Sequence, residues 1–208
     1  MGGATPDGRN PETAKRILAA TASAMQDHGI IRLSLEDVAR RAGLSRQTLY
    51  RYFPSKQALL DATVLLEEEQ FLTRIIDAAT GEATFDAALR QAIAVCLQTG
   101  REHALLNRLL KTEPESILPL LTTESGPVLN AARAAIDQVL QGYFPDAADE
   151  PRGWAADSIA RTLVSYVINP PPAIDEVVAE RMTDLLAPGL MNTLSPGTRS
   201  RRRSGGGK

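Results

Sequence analysis

Cysteine occurs once in the 208 residues, as Cys96. No disulfide can form within the chain, and a reducing, cytoplasmic setting is expected. Histidine occurs twice, as His28 and His103. Neither has a His, Cys or acid at ligand spacing, which argues against a zinc site. Aromatic residues make up only 4% of the chain, and β-branched residues are sparse beside abundant Ala and Leu. Those are helix formers, so the expected class is all-α. No apolar run is long enough to span a bilayer. The first eight residues lack the basic start and apolar run of a secretory signal. No nucleophile–base pair and no phosphate-cradling Gly loop ahead of a helix can be found, so neither an enzyme nor a cofactor is expected. An acid or His buried in a cleft would be the mark of the enzyme alternative.

Hydrophobic residues at 43% and charged residues at 23% give the composition of a globular protein. The formal charge of −2 is unevenly spread. Residues 1–60 carry a balance of +4, residues 61–197 one of −11, and residues 198–208 one of +5. A basic head on an acidic body suits a protein that meets a polyanion at one end.

Residues 1–10 and 195–208 have the Gly-, Pro- and charge-rich composition of disordered tails. Between Pro11 and His28, Ala14, Ile17, Leu18, Thr21, Ala24 and Met25 form one helical stripe. Ser34 caps a short helix with Glu36 and Asp37 in its first turn, where the helix dipole favours acids. Ala42-Gly43-Leu44 breaks it, and Ser45 caps a second short helix that ends before Pro54. Ser55 then caps a long helix from Lys56 to about Ala79. Further helices are expected over 84–99, 101–111, 114–121, 126–141, 152–168 and 174–187, the last stopping at Pro188-Gly189. Glu67-Glu68-Glu69 reads as a solvated face and Cys96 as an inert core residue.

Two short helices around a tight turn form a helix-turn-helix. Ala39 and Gly43 are small where the helices are expected to approach. Val38, Leu44 and Leu49 can fill the small core between them. The outward face of the second helix carries Arg46, Gln47, Thr48, Tyr50 and Arg51. Arg can pair with guanine and Gln with adenine in the major groove. Ser34, Ser45, Thr48, Tyr50, Tyr52 and Lys56 are donors suited to phosphate oxygens. For Arg51, a phosphate contact and a solvated charge stand about even.

The run Thr48-Leu49-Tyr50-Arg51-Tyr52-Phe53-Pro54-Ser55-Lys56, with the stretch from Ser34 to Ser45 before it, resembles the tetracycline-repressor (TetR) family of bacterial regulators. The resemblance covers about residues 11–62, roughly a quarter of the chain. It implies an N-terminal three-helix DNA-binding domain over 11–56 and a helical effector-binding and dimerisation domain over 57–190. It implies that Arg46, Gln47 and Tyr50 reach bases while Ser34, Thr48, Tyr52 and Lys56 hold phosphates. His or Trp is common in the family near Arg51 and Tyr52, so those two positions depart from its pattern.

The resemblance further implies a homodimer that places two heads on the half-sites of an inverted-repeat operator in double-stranded DNA. Half-site spacing would be about 34–36 Å or a multiple. The last two long helices would form the dimer contact through Trp154, Ile159, Leu163 and Val167 on one and Val178, Met182 and Leu185 on the other. A helix apolar nearly all round is buried either in its own core or against a partner, and the partner is favoured. A small, largely apolar effector would bind within residues 85–140 and tilt the long helix after Ser55, releasing a repressor from DNA. Phe85, Leu89, Ile93, Leu97, Leu105, Leu109 and Leu110 could line its pocket or be plain core, and Arg101, Asn107 and Arg108 could orient a polar group. A ligand-independent or partner-controlled regulator is the alternative. The basic run at 199–203 could add sequence-independent DNA affinity or be a solvated end.

Overall fold

The computed structural model describes residues 10–195. The expectations for residues 1–9, and for residues 196–208 with their basic run, lie outside the described residues. Among the described residues there are ten helices and no strand. They are α1 (Pro11–His28), α2 (Leu35–Arg41), α3 (Arg46–Tyr52), α4 (Lys56–Thr80), α5 (Phe85–Glu102), α6 (Ala104–Thr112), α7 (Pro114–Leu121), α8 (Gly126–Tyr143), α9 (Asp149–Ile168) and α10 (Asp175–Leu194). Packing divides them into two compact units. One holds the residues up to Gln70 together with His103–Leu118, and the other holds Phe71–Glu102 and the residues from Pro119 on. By packing, the break between these units lies within α4, after Gln70, and α6 groups with the head.

In the first unit α1 packs on α2 and on α6, and α2 packs on α3. Ile17, Thr21, Ala24 and Met25 of the stripe read from the sequence are buried, as are Val38, Leu49, Leu105 and Leu109. Asn10, expected in a tail, is the N-cap of α1, and its Oδ1 accepts from the Glu12 N–H at 2.9 Å. Arg41 clasps α2 to α1. Its guanidinium donates to Asp37 at 2.7 Å, to Asp27 at 2.6 Å and to Ser23 at 3.1 Å.

Two glycines adopt backbone angles that side-chain-bearing residues avoid. Gly43 has φ +63° and forms a Schellman ending. The Leu44 N–H bonds Ala39 O at 2.9 Å and the Gly43 N–H bonds Arg40 O at 3.1 Å. Open space surrounds its absent Cβ, so backbone angle, rather than the expected close approach of two helices, selects glycine there. Gly29 is different. It has φ +81°, and a Cβ on it would collide with the Glu113 carboxylate.

In the second unit α5 packs on both α9 and α10, and α8 packs on α9. Phe85, Leu89, Ile93 and Leu97 join Leu140, Ile159, Leu163, Val178 and Met182 in one core. Gly100 lets α9 come close, since a Cβ there would lie 3.1 Å from a Val167 methyl. The buried Arg152 guanidinium is matched by Asp137 at 2.7 Å, Asp149 at 2.9 Å and the Ala147 carbonyl at 3.1 Å. Helix α10 does not stop at Pro188 but continues to Leu194. Proline removes one backbone donor, but beyond it Leu194 is buried and Leu190 and Met191 pack on the same core. Their burial outweighs the one lost bond.

Gly29→Ala is expected to destabilise the chain by more than Gly43→Ala. The second meets only backbone strain of about 1–2 kcal/mol, whereas the first adds a collision with Glu113. Urea melts of the two variants test this, and equal losses would mean that no such close approach exists.

Candidate nucleic-acid interface

The Schellman turn and the Ser45 cap aim α3 so that Leu49 is buried against the head while Arg46, Gln47, Tyr50 and Arg51 face solvent. Arg46 does not wave freely. Its guanidinium donates to the Tyr50 hydroxyl at 3.2 Å and lies 5.5 Å from the centre of that ring. This bond holds the guanidinium even more firmly in its charged form. A cation held this way loses less side-chain entropy on meeting a base or phosphate. Ser45 Oγ accepts from the Thr48 N–H at 3.1 Å and lies 2.9 Å from Thr48 Oγ1. Ser34 Oγ caps α2 with a longer bond, 3.5 Å from the Asp37 nitrogen. Both serines thus first serve the ends of their helices.

Two of the residues expected at phosphates serve the fold. Tyr52 is 9% exposed, and its hydroxyl accepts from the Asn10 N–H at 3.1 Å. That amide, with lesser help from Thr13 and Arg51, draws the phenol pKa below its ordinary value. Tyr52 therefore ties the end of α3 to the start of α1, and the Arg51 guanidinium lies over its ring, 5.8 Å from the centre. Lys56 is half-buried, and its ammonium donates to the Ile31 carbonyl at 3.4 Å. An ammonium has three donors, so this bond leaves two that an anion could use.

An acid beside the interface is neutralised. Ser34, Glu36, Asp37, Arg40, Leu44 and Arg46 line a groove between α2 and α3, and of its two acids Asp37 accepts from both Arg40 and Arg41. The bond from Arg41 is the chief reason its carboxyl titrates below the usual range. A free carboxylate there would repel phosphate; this one is matched by two guanidiniums.

Several polar residues deeper in the first unit sit otherwise than the sequence suggests. Glu67 and Glu68 are not a solvated face. Glu67 lies 3.6 Å from His103, whose Nδ1 accepts from the Leu106 N–H as the cap of α6, so the ring hydrogen sits on Nε2 toward Glu67. Glu68 has a buried carboxylate oxygen with no hydrogen-bond partner, and burial pushes its pKa up to about 7. Arg108 Nε is likewise buried without a partner. Glu113 is 7% exposed and accepts from the Ile30 and Ile31 amides at 2.9 and 3.2 Å. A lone Glu between two helices carries no spacing signal, so no local pattern marks it.

In the second unit, Ile159, Leu163, Val178 and Met182, expected at a partner, fill the chain's own core. Val167 packs against Gly100. Trp154 and Leu185 do face solvent, at 68% and 78% exposure. Arg101, a candidate for orienting an effector, instead holds Asp175 at 2.6 Å and the carbonyls of Pro171 and Ala173. Burial pushes the Cys96 thiol up to about 12, so it is inert. Among the described residues no His, Cys, Asp or Glu cluster could hold a metal, and no helix is long and apolar enough to cross a membrane.

Comparison with known proteins agrees with this geometry. The model of bacterial regulatory proteins of the tetR family matches residues 17–63, and that of the bacterial tetracyclin repressor C-terminal domain matches residues 85–188. The chain is 28% identical over 151 residues, 71% of each chain, to the HTH-type transcriptional regulator AlkX of Mycobacterium tuberculosis. Over 57 residues, 27% of this chain and 26% of the other, it is 44% identical to the regulator EthR of the same species. Its fold is similar to that of the TetR family repressor AlkX from a Dietzia strain, implicated in biodegradation of n-alkanes. There the TM-score is 0.72 at 28% identity, covering 86% of this chain and 98% of that one.

Glu68 makes the fold sensitive to pH. Its folded pKa of about 7 lies above its ordinary value of 4.5, so the folded chain holds a proton that the unfolded chain releases. Stability should be greatest below about pH 4.5 as far as this group is concerned and fall as pH rises through 7. Glu68→Gln should flatten that fall, as read from urea midpoints at pH 5 and pH 8. The same slope in both proteins would refute a buried, unpartnered carboxyl.

Proposed function

We propose, given that the chain belongs to the tetracycline-repressor family of helix-turn-helix transcriptional regulators, that it is a homodimeric repressor of an inverted-repeat operator released by a small apolar effector. The observation that carries the DNA-reading part is the solvent face of α3, where Arg46, Gln47, Tyr50 and Arg51 stand together with Arg46 braced on Tyr50. Arg46 and Gln47 read base edges in the major groove. Thr48, Arg51 and the spare donors of Lys56 hold the backbone. Trp154 and Leu185, with Ile174 and Val177 also exposed on or beside α10, supply the apolar surface that a second copy covers. Such a protein works in the cytoplasm, where its DNA lies. It has no catalytic role.

The effector is an aliphatic molecule, a reading supported by the similarity to a repressor implicated in n-alkane biodegradation. Such a molecule releases DNA only if it binds the non-reading conformation more tightly. A second reading, regulation without an effector, is favoured by one observation. Phe85, Leu89, Ile93 and Leu97, the candidate pocket residues of α5, are all buried in the core of their own unit.

Selection of bound sites from random duplex DNA tests the reading head. Wild type should enrich an inverted repeat. Arg46→Ala and Gln47→Ala should each lose about 1–3 kcal/mol of discrimination at one position per half-site. An unchanged motif in both would remove α3 from the role of reading helix. Leu185→Asp should leave the fold intact and shift the dimer to monomer in sedimentation, because it places a charge on exposed apolar surface. A dimer of undiminished affinity would place the contact elsewhere.

A further inference from the structure

The segment joining α1 to α2 has few partners of its own. Gly29 turns the chain at φ +81°, and the next two amides, Ile30 and Ile31, point out of both flanking helices. Both donate to one oxygen of Glu113, more than eighty residues away at the junction of α6 and α7, at 2.9 and 3.2 Å. The other oxygen fills the space that a side chain on residue 29 would take. The carbonyl of Ile31, in the next peptide group, accepts from Lys56 at the start of α4. One residue is thus held by the α6–α7 junction through its N–H and by α4 through its carbonyl oxygen. Three residues later Ser34 caps α2, which packs on α3.

Helix α6 also meets α1 through apolar contact, with Leu105 and Leu109 buried. Apolar contact is non-directional and tolerates sliding. The Glu113 bonds do not. A shift of about an ångström takes a 2.9 Å hydrogen bond beyond useful length.

We propose that Glu113 is a positioning residue for DNA binding, a latch that makes the pose of the α2–α3 reading head follow the position of the α6–α7 junction. This rests on the reading that the α3 face meets DNA. The latch gives a route into the head that enters through the α1–α2 link, separate from any tilt of α4. Glu113 touches no DNA in this scheme, so its loss should weaken binding alike at every base position and leave the salt dependence unchanged.

The test uses the full-length protein and the duplex selected by wild type. E113A should bind that duplex at least tenfold more weakly, with the same preferred sequence and the same salt slope. E113Q, which keeps one carbonyl acceptor, should lose less. Both variants remove a negative charge, which by field alone would tighten binding to a polyanion, so a loss runs against simple electrostatics. Hydrogen exchange without DNA is the second readout. In E113A exchange should quicken at Ile30 and Ile31 and also across α2 and α3, while α5 and α8 keep wild-type rates.

A folded E113A that binds DNA as wild type does, even with a lowered melting temperature, would overturn the proposal. So would quickened exchange confined to the two amides. If E113A does not fold, E113D, one methylene shorter with its charge kept, takes its place under the same criteria. Failure of wild type to enrich any duplex would instead sink the DNA-reading assignment, and the exchange pattern would still decide whether the latch exists.

Discussion

Helices of seven residues do not persist in water by themselves, and the reading head contains two of them, α2 and α3. What holds them is the satisfaction of their ends. Ser34 and Ser45 take orphan amides at the two starts, and the Schellman turn at Gly43 closes the end of α2 while setting the direction of α3. The Arg41 clasp and the Tyr52–Asn10 bond then tie both helices to α1, the longest element of the head before α4. The exposed face of α3 can be rich in cations and polar groups because the helix is held chiefly by its caps and by the burial of Leu49.

The second unit is held by a different means. Its helices are long, and its core is apolar side chains from α5, α9 and α10. Directional contacts add to this where a charge is buried or a loop is pinned, as at Arg152 and Arg101. The continuation of α10 past Pro188 belongs to the same logic, since packing of the last turn decides where the helix ends. The head is fixed by hydrogen bonds at defined points and the second unit by burial over broad faces.

What could be read in the sequence follows from that contrast. The α1 stripe, the two serine caps and the signature from Thr48 to Lys56 are local, each spelled out within a few residues, and they placed the helix-turn-helix correctly. The class and the helix order came from periodicity. Contacts between distant residues left no local mark. Tyr52 and Lys56 have the chemistry of phosphate ligands, and only the fold shows a hydroxyl and an ammonium already engaged with Asn10 and Ile31. Gly43 was read as a close approach when its angle was the cause, and Glu68 as solvated when one of its oxygens is buried. The apolar excess of α9 could mean its own core or a partner. Ile159 and Leu163 went to the core, and Trp154 stayed outside.

Cys96 is the chain's only thiol, and it lies in the core of the second unit with its ionisation strongly suppressed. A thiol-specific reagent can reach it only when that core opens. Labelling at this one atom therefore clocks the opening of one half of the molecule, free of any signal from the head. The natural sequence carries its own single-site reporter, with no engineered probe to disturb the packing it would measure.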